Sequence, residues 1–250
     1  MAMNPMEQFE VRPIVPLHIG PYDVSFTNQS LFMCIVVAAV TLFLTFAMSG
    51  RRLVPSRTQS MAELSYEFVA GMIRSTAGDK GLVFFPFVFA IFMFVLFSNF
   101  LGLIPGAFTV TSQIIVTFAL TALVMLTVVV VGFAKHGFKF LMLFVPKAPW
   151  YLLPLLVPIE VISFLTRLVS LSVRLFANML AGHTMLAVFA SFVVALGAAG
   201  GILSALSITP MFMIIFIVTL ELLVAFLQAY VFSVLTCIYL NEALHLHEHH

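Results

Sequence analysis

The sequence predicts an all-α integral membrane protein with about five transmembrane helices and one amphipathic interfacial helix. Of its 250 residues, 62% are apolar and 8% are charged, whereas soluble domains are about 45–50% apolar and about 25% charged. The 11 basic and 10 acidic side chains are too few to cover a water-facing surface of this size. Uncharged runs of about 20 residues recur, and a helix of that length crosses the ~30 Å hydrocarbon core. A soluble globular protein is therefore excluded.

The uncharged runs define five spans in a single membrane domain. Gly197, Gly200 and Gly201 indicate a turn within the last apolar region, and Pro210 suits the first turn of the helix that follows. Because residues 161–196 would extend ~54 Å as a straight helix, this region must tilt or break. The last two helices are therefore expected to be long and strongly tilted as an antiparallel hairpin. The expected segments are 1–30 (outer N-terminal segment), 31–48 (span 1), 57–77 (interfacial helix), 82–105 (span 2), 110–134 (span 3), 151–196 (long helix), 204–241 (last helix) and 242–250 (inner tail).

The interfacial helix and the orientation follow from the polar residues between spans. Met61, Leu64, Phe68 and Met72 recur at helical spacing among charged residues, as in a helix that lies on the membrane surface. With the N-terminus outside, basic residues gather on the inner side and only Arg12 lies outside, which places the C-terminus inside. The inner set is Arg51, Arg52, Arg57, Arg74, Lys80, Lys135, Lys139 and Lys147.

Two arginines interrupt the long apolar helix. Arg167 and Arg174 each cost several kcal/mol in a membrane unless something compensates the charge. They could snorkel to an interface or pair with carboxylates, or they could serve a function. Glu160, Arg167 and Arg174 lie seven residues apart and Asn178 follows four residues later, so one face of this helix is polar.

The last helix carries a matching polar face with Glu221 and Gln228 seven residues apart. In an antiparallel hairpin, residues equally far from the turn lie at equal depth. His183 and Glu221 each lie about 19 residues from the turn, and Arg174 and Gln228 each about 27, at 1.5 Å per residue. We therefore expect His183 to meet Glu221 and Gln228 to approach Arg174. The alternative for His183 is an isolated core histidine with satisfied hydrogen bonds.

The segment Arg174-Leu-Phe-Ala-Asn178-Met-Leu-Ala-Gly182-His183 resembles subunit a of F-type ATP synthases, the stator half of their proton channel. The segment from Glu221 to Phe232 resembles the last helix of that family, and Ser98 to Pro105 resembles the end of an earlier helix. The resemblance covers most of the chain from about residue 60.

The resemblance implies a role for each polar position of the hairpin. Arg174 would face a rotating ring of c subunits, whose carboxylates carry the protons. The half-channel open to the outside would be lined by Asn178, His183, Glu221 and Gln228, and the one open to the inside by Glu160 with Ser163 and Ser170; Arg167 would support them.

The sequence departs from many bacterial members at two places. Ala177 stands where many have glycine, and His183 and Glu221 exchange the glutamate and histidine that many have, as in the mitochondrial type. An exchange keeps one acid and one imidazole at the same contact, so it leaves the proton path in place and the order of transfers open.

Further expectations follow from the resemblance. The chain would be a non-catalytic subunit that binds the c-ring, peripheral-stalk b-type subunits, other ATP synthase subunits and lipid, with no nucleic acid and no metal, nucleotide or covalent cofactor. Its place would be a bacterial inner membrane, or alternatively a mitochondrial one. The lack of an oxygen-ligand cluster favours H⁺ over Na⁺.

Three other functions fit part of the sequence, and one of them, a lone ion channel, stays open. A secondary transporter also has intramembrane charges, but such proteins usually contain an internal repeat, and none is visible. A membrane-bound di-metal enzyme is suggested only by the histidines of the C-terminal tail, which are better explained as a floppy end. These are His245, His247, His249 and His250.

Overall fold

The computed structural model describes residues 10–16, 18–19, 22–23, 25–50, 55–104, 107–138, 140 and 151–244. These residues are almost entirely helical. The α-helices are α1 (Asn28–Ser49), α2 (Arg57–Ala77), α3 (Phe85–Gly102), α4 (Ile114–His136), α5 (Leu153–Ala199), α6 (Gly201–Leu206) and α7 (Ile208–Leu244), with 3₁₀ helices at Asp79–Phe84 and Val110–Ser112.

Five helical segments within the described ranges are long and apolar enough to cross a membrane. They are Asn28–Ser49, Asp79–Gly102, Ile114–His136, Leu153–Ala199 and Ser204–Leu244, with mean hydropathies from 2.0 to 2.9. The chain is therefore an all-α integral membrane protein, as its composition predicts.

The strands before α1 are too short to form a core. β1 (Pro13–Val15) pairs antiparallel with β4 (Phe26–Thr27), and β2 (His18–Ile19) pairs with β3 (Tyr22–Asp23). The Arg12 carbonyl accepts a hydrogen bond from Asn28 N at 3.1 Å, which ties this segment to the start of α1.

The ends of the chain differ from the expected segments. The last helix continues through Leu244, three residues past the expected end, because no charge repulsion or helix breaker interrupts residues 241–244. Three parts of the expectation lie outside the described residues. The first is the rest of the expected inner tail with its four histidines, and the second is the first part of the outer segment. The third is a set of four basic residues used for orientation. Those four are Arg51, Arg52, Lys139 and Lys147.

The chain forms two compact units, each built from three stretches. Unit 1 holds the described parts of Met1–Thr45, Met93–Gln113 and Leu175–Ala229. Its interior contains apolar side chains, including Val95, Met179 and Ala225. Unit 2 holds the described parts of Phe46–Phe92, Ile114–Arg174 and Tyr230–His250. Its interior contains Ile73, Val88, Phe92, Val128, Leu171 and Phe232.

Helix α2 has the local signals of a defined start and end. The Ser56 side chain accepts a hydrogen bond from Gln59 N at 3.3 Å, which satisfies one of the free N–H groups of the first turn. Gly78 follows the last residue with a φ of 66°, a conformation that glycine adopts without strain. Both signals stand in the sequence, so the observed limits coincide with the expected 57–77.

The predicted apolar face of α2 is mostly exposed. Met61 is 60% exposed and Leu64 is 68% exposed, while Met72 is buried. A second face packs against the protein through Val69 and Ile73. An exposed apolar stripe beside charged residues fits a helix lying at the membrane surface.

Helix α5 runs without a break for 47 residues, about 70 Å, although Pro158 lies inside it. Because this is more than twice the hydrocarbon thickness, strong tilt or curvature stays the expectation. The turn after α5 uses Gly200 and Gly201, with φ angles of 72° and 61°. The last helix is divided, since α6 ends at Leu206 and α7 begins at Ile208, which leaves Pro210 in the first turn as predicted.

Gly132 on α4 gives a test of the packing in unit 2. A Cβ there would overlap the buried ring of Phe140, whereas a Cβ at Gly71 on α2 would meet nothing within 4 Å. Both glycines are helical, so replacement by valine changes helix propensity equally. We expect Gly132→Val to be about 1–3 kcal/mol less stable than Gly71→Val because of overpacking. Thermal unfolding in detergent measures the difference, and equal midpoints would contradict this packing.

Candidate functional site

A buried histidine and glutamate meet in unit 1. His183 on α5 and Glu221 on α7 have a distance of 3.6 Å between Nε2 and Oε1, with side chains 11% and 3% exposed. The predicted proximity of these two residues is therefore confirmed, and the alternative of an isolated histidine is wrong. Within the described residues the Glu221 oxygens have no hydrogen-bond partner. A buried carboxyl group without such a partner is costly, which makes the position a candidate functional site.

Gly182 makes room for the carboxyl group of Glu221. A Cβ at this position would lie 2.5 Å from Oε1 and 2.8 Å from Cδ of Glu221. Small residues allow two membrane helices to approach closely. The glycine of the sequence motif therefore determines where the carboxyl group can lie.

A threonine from the segment between α3 and α4 also reaches the histidine. Thr109 Oγ1 lies 3.1 Å from His183 Nε2 and donates to the Gly102 carbonyl at 3.4 Å. A hydroxyl group has one hydrogen, so it can accept from a protonated Nε2 while it donates to Gly102, or turn and donate to an unprotonated Nε2. The imidazole thus has a carboxyl group and a hydroxyl group within reach of the same nitrogen.

Asn99 holds the neighbouring backbone of unit 1 together. Its Oδ1 accepts a hydrogen bond from Thr111 at 3.0 Å, and its Nδ2 donates to the Ala225 carbonyl at 3.3 Å. Sequence reasoning assigned no role to Asn99, Thr109 or Thr111. For Asn99 the only signal in the sequence was that it belongs to a segment with family resemblance. The two threonines gave no signal, because threonines in a loop form no periodic pattern.

A second pair of predicted residues also meets in unit 1. Asn178 Nδ2 donates to Gln228 Oε1 at 3.0 Å, and Gln228 is 4% exposed. The Gln228 Nε2 is buried and has no hydrogen-bond partner in the described part of the chain. The expected approach of Gln228 to Arg174 would join residues of different units and stays a prediction.

Arg167 is neutralised within unit 2. Its Nη1 lies 2.8 Å from Glu242 Oε2, and its guanidinium carbon lies 5.6 Å from the centroid of the Tyr239 ring. The first of the two interpretations, pairing with a carboxylate, is therefore correct for Arg167. Glu242 was not predicted, because it had been assigned to the tail.

Arg174 has a different environment from Arg167. It is exposed, whereas Leu171 and Leu175 beside it on α5 are buried. Among the described residues no hydrogen bond or ion pair to Arg174 is found. A permanently charged side chain on an apolar helix needs an anionic or polar partner.

The residues predicted for the inner path form no hydrogen bonds with these pairs among the described residues. Glu160 and Ser163 are half-buried and Ser170 is exposed. Their side chains have no hydrogen bond to another residue described here. The structure thus gives them no partner side chain that would define a path.

Comparison with known proteins identifies the family. The profile described as ATP synthase A chain matches residues 30–241. A protein named ATP synthase subunit a from Chelativorans sp. (strain BNC1) is 61% identical over 246 residues, which cover 98% of this chain and 99% of the relative. The chain belongs to the ATP synthase subunit a family. Subunits of the same name from Agrobacterium fabrum and Mesorhizobium japonicum are each 60% identical, with coverage of 98% and 97% of this chain and 99% and 97% of the relatives.

The family match includes residues of both units. It begins in α1 and ends near the C-terminus of α7, so the His183–Glu221 pair, the Asn178–Gln228 pair and Arg174 all fall within it. A secondary transporter and a di-metal enzyme are thereby displaced as interpretations of the chain as a whole.

Cross-linking tests the contact between α5 and α7. In a background with Cys34→Ser and Cys237→Ala, we expect His183→Cys with Glu221→Cys to be joined by a short bifunctional thiol reagent, because the ends of the native side chains lie 3.6 Å apart. The matched control is His183→Cys with Leu222→Cys, since Leu222 is 51% exposed on the next position of α7. Gel mobility after treatment with the thiol reagent measures both pairs. Equal cross-linking of the control pair would contradict the observed register.

Proposed function

We propose that this chain is the proton-conducting stator subunit of a rotary F-type ATP synthase, with two offset half-channels separated by Arg174. The names of its relatives support the assignment to this complex. The observation that carries the proposal is the exposed Arg174, which has neither a hydrogen bond nor an ion pair within the described residues. The partner we assign to it is a carboxylate on a rotating c-ring.

Arginine suits a fixed charge and cannot act as a proton relay. It keeps its proton at any pH near neutrality, and it holds a nearby carboxylate ionised. A c-ring carboxyl group that arrives from lipid carries its proton, because burial disfavours the charged form. Beside Arg174 the preference reverses, and the proton leaves toward one aqueous path.

The outer path is assigned to the polar residues of unit 1. Imidazole and carboxyl groups can both accept and release protons, and His183 Nε2 lies 3.6 Å from Glu221 Oε1. Asn178 and Gln228 supply further polar groups along the same two helices. The Thr109 hydroxyl holds the ring that receives or delivers the proton.

The inner path is assigned to Glu160, with Ser163 and Ser170 in lesser roles. Glu160 lies fourteen residues before Arg174, on the same face of α5 by helical spacing. Arg167 stands between them, where its pairing with Glu242 keeps its charge from competing with Arg174 for the rotor carboxylate.

Coupling follows from the separation of the two paths. If no water connects them past Arg174, a proton crosses only when the ring turns and carries it. Each elementary charge that crosses 100 mV then supplies about 2.3 kcal/mol. The subunit itself performs no bond chemistry, so we assign it no catalytic residue.

The setting of the chain is part of the proposal. The three relatives named above are bacterial, which favours a bacterial inner membrane over a mitochondrial one. The distribution of lysine and arginine favours an external N-terminus and an internal C-terminus. The c-ring, the b-type peripheral stalk and other subunits of the complex would be its partners.

The first test removes the charge of Arg174. We expect Arg174→Ala to abolish ATP-driven proton pumping in inverted membrane vesicles while the subunit stays inserted. Arg174→Lys should fail to restore full pumping, because a desolvated lysine can lose its proton. Arg74→Ala on α2 removes an exposed arginine as the control and should pump normally. Wild-type ATP synthesis by Arg174→Ala would end the proposal.

The second test displaces the carboxyl group of Glu221 without changing a titratable residue. Gly182→Ala would put a Cβ 2.5 Å from Glu221 Oε1, so we expect the rate of proton translocation to fall at least tenfold, about 1.4 kcal/mol. Gly197→Ala on the same helix meets nothing within 4 Å and is the matched control. Passive proton flux through the membrane sector measures both. Similar flux in the two variants would remove Glu221 from the path.

A further inference from the structure

A cavity in unit 2 combines two lysines with an apolar wall. It has a volume of about 340 Å³, within the range of small-molecule sites. Lys80 and Lys135 line it together with Val83, Phe84, Val131 and Leu244. None of the proposed proton-path residues is among the described lining residues.

The two lysines leave their positive charges available. Both are exposed, and neither has an ion pair or hydrogen bond to any residue in the described ranges. Asp79 is next to Lys80 in the chain but is not a described lining residue of the cavity. The cavity therefore attracts an anion at its polar end.

The lysines lie at the ends of two transmembrane segments. Lys80 is the second residue of the Asp79–Gly102 segment, and Lys135 is the second-to-last residue of the Ile114–His136 segment. Segment ends lie at the level of the lipid headgroups. Both residues also belong to the basic set that the sequence assigns to the inner side, where anionic lipids attract basic residues.

The apolar wall extends from the lysines along the same segments. Val83 lies one turn after Lys80 and is 79% exposed, and Val131 lies one turn before Lys135. A free inorganic anion would gain nothing from this wall. An acyl chain would cover it.

We propose that this cavity binds an anionic phospholipid, with its phosphate between Lys80 and Lys135 and an acyl chain along Val83 and Val131. The two ammonium groups neutralise the phosphate. The acyl chain packs against the apolar wall and covers it. A zwitterionic lipid binds more weakly, because its own cation is repelled by the same lysines. Basic pockets between membrane helices on the cytoplasmic side bind such headgroups in general.

Native mass spectrometry of the full-length chain in mild detergent tests the site, with phosphatidylglycerol titrated against phosphatidylcholine. We expect the wild type to retain one phosphatidylglycerol at least tenfold more tightly than phosphatidylcholine. The double variant Lys80→Gln, Lys135→Gln should bind phosphatidylglycerol about thirtyfold more weakly, since each basic residue contributes about one factor of five. The double variant Lys80→Arg, Lys135→Arg should keep the affinity, which guards against loss through misfolding.

A charge-matched control separates this cavity from general attraction of lipid. Arg57→Gln with Arg74→Gln removes two exposed cations from α2 and should leave the affinity unchanged. Equal losses in the control and the lysine variant would overturn the proposal, as would unchanged binding in the lysine variant. Displacement of phosphatidylglycerol by millimolar inorganic phosphate would show a free-anion site instead and would also overturn it.

Discussion

The structure depends on the absence of water from the interior of a bilayer. Each polar group within a membrane helix must find its partner in the chain or in a neighbouring subunit, because an unsatisfied group costs several kcal/mol. Isolated hydroxyl groups meet this demand locally: Thr41, Thr45 and Thr219 each donate to the carbonyl four residues earlier. A polar group that no local hydrogen bond satisfies is therefore a candidate for function, because it needs a partner from elsewhere in the chain or from a neighbouring subunit.

The comparison of Arg167 with Arg174 illustrates that distinction. The two arginines lie seven residues apart on α5, but only Arg167 has a carboxylate partner in the described chain. A charge that is paired within one subunit needs nothing further. Arg174 is exposed on an apolar helix and has no such carboxylate partner among the described residues, and this is why we propose Arg174 rather than Arg167 as the residue that faces the rotor.

The polar pairs of unit 1 depend on small residues around them. Gly182 leaves space for the Glu221 carboxyl group, and the buried Ala225 lets its carbonyl accept from Asn99. In unit 2, the hydroxyl groups of Thr117 and Ser172 lie 3.2 Å apart between α4 and α5. Close helix packing and polar contact thus occur together, since only small side chains bring membrane helices near enough for short polar groups to meet.

The sequence by itself determined the membrane class, the approximate helices and the contact of His183 with Glu221. Composition, the length of uncharged runs and the position of the glycine turn suffice for these, because a hairpin of regular helices has a nearly fixed register. Tertiary structure alone decided the partners that come from irregular segments or from helix ends: Thr109 at His183, Asn99 at Ala225 and Glu242 at Arg167. It also decided that α5 continues without a break and that Gln228 bonds to Asn178. Periodicity gives the face and depth of a residue along one helix. The partner of a side chain depends also on the paths of the loops, and it changes when one helix shifts by a single turn relative to its neighbour.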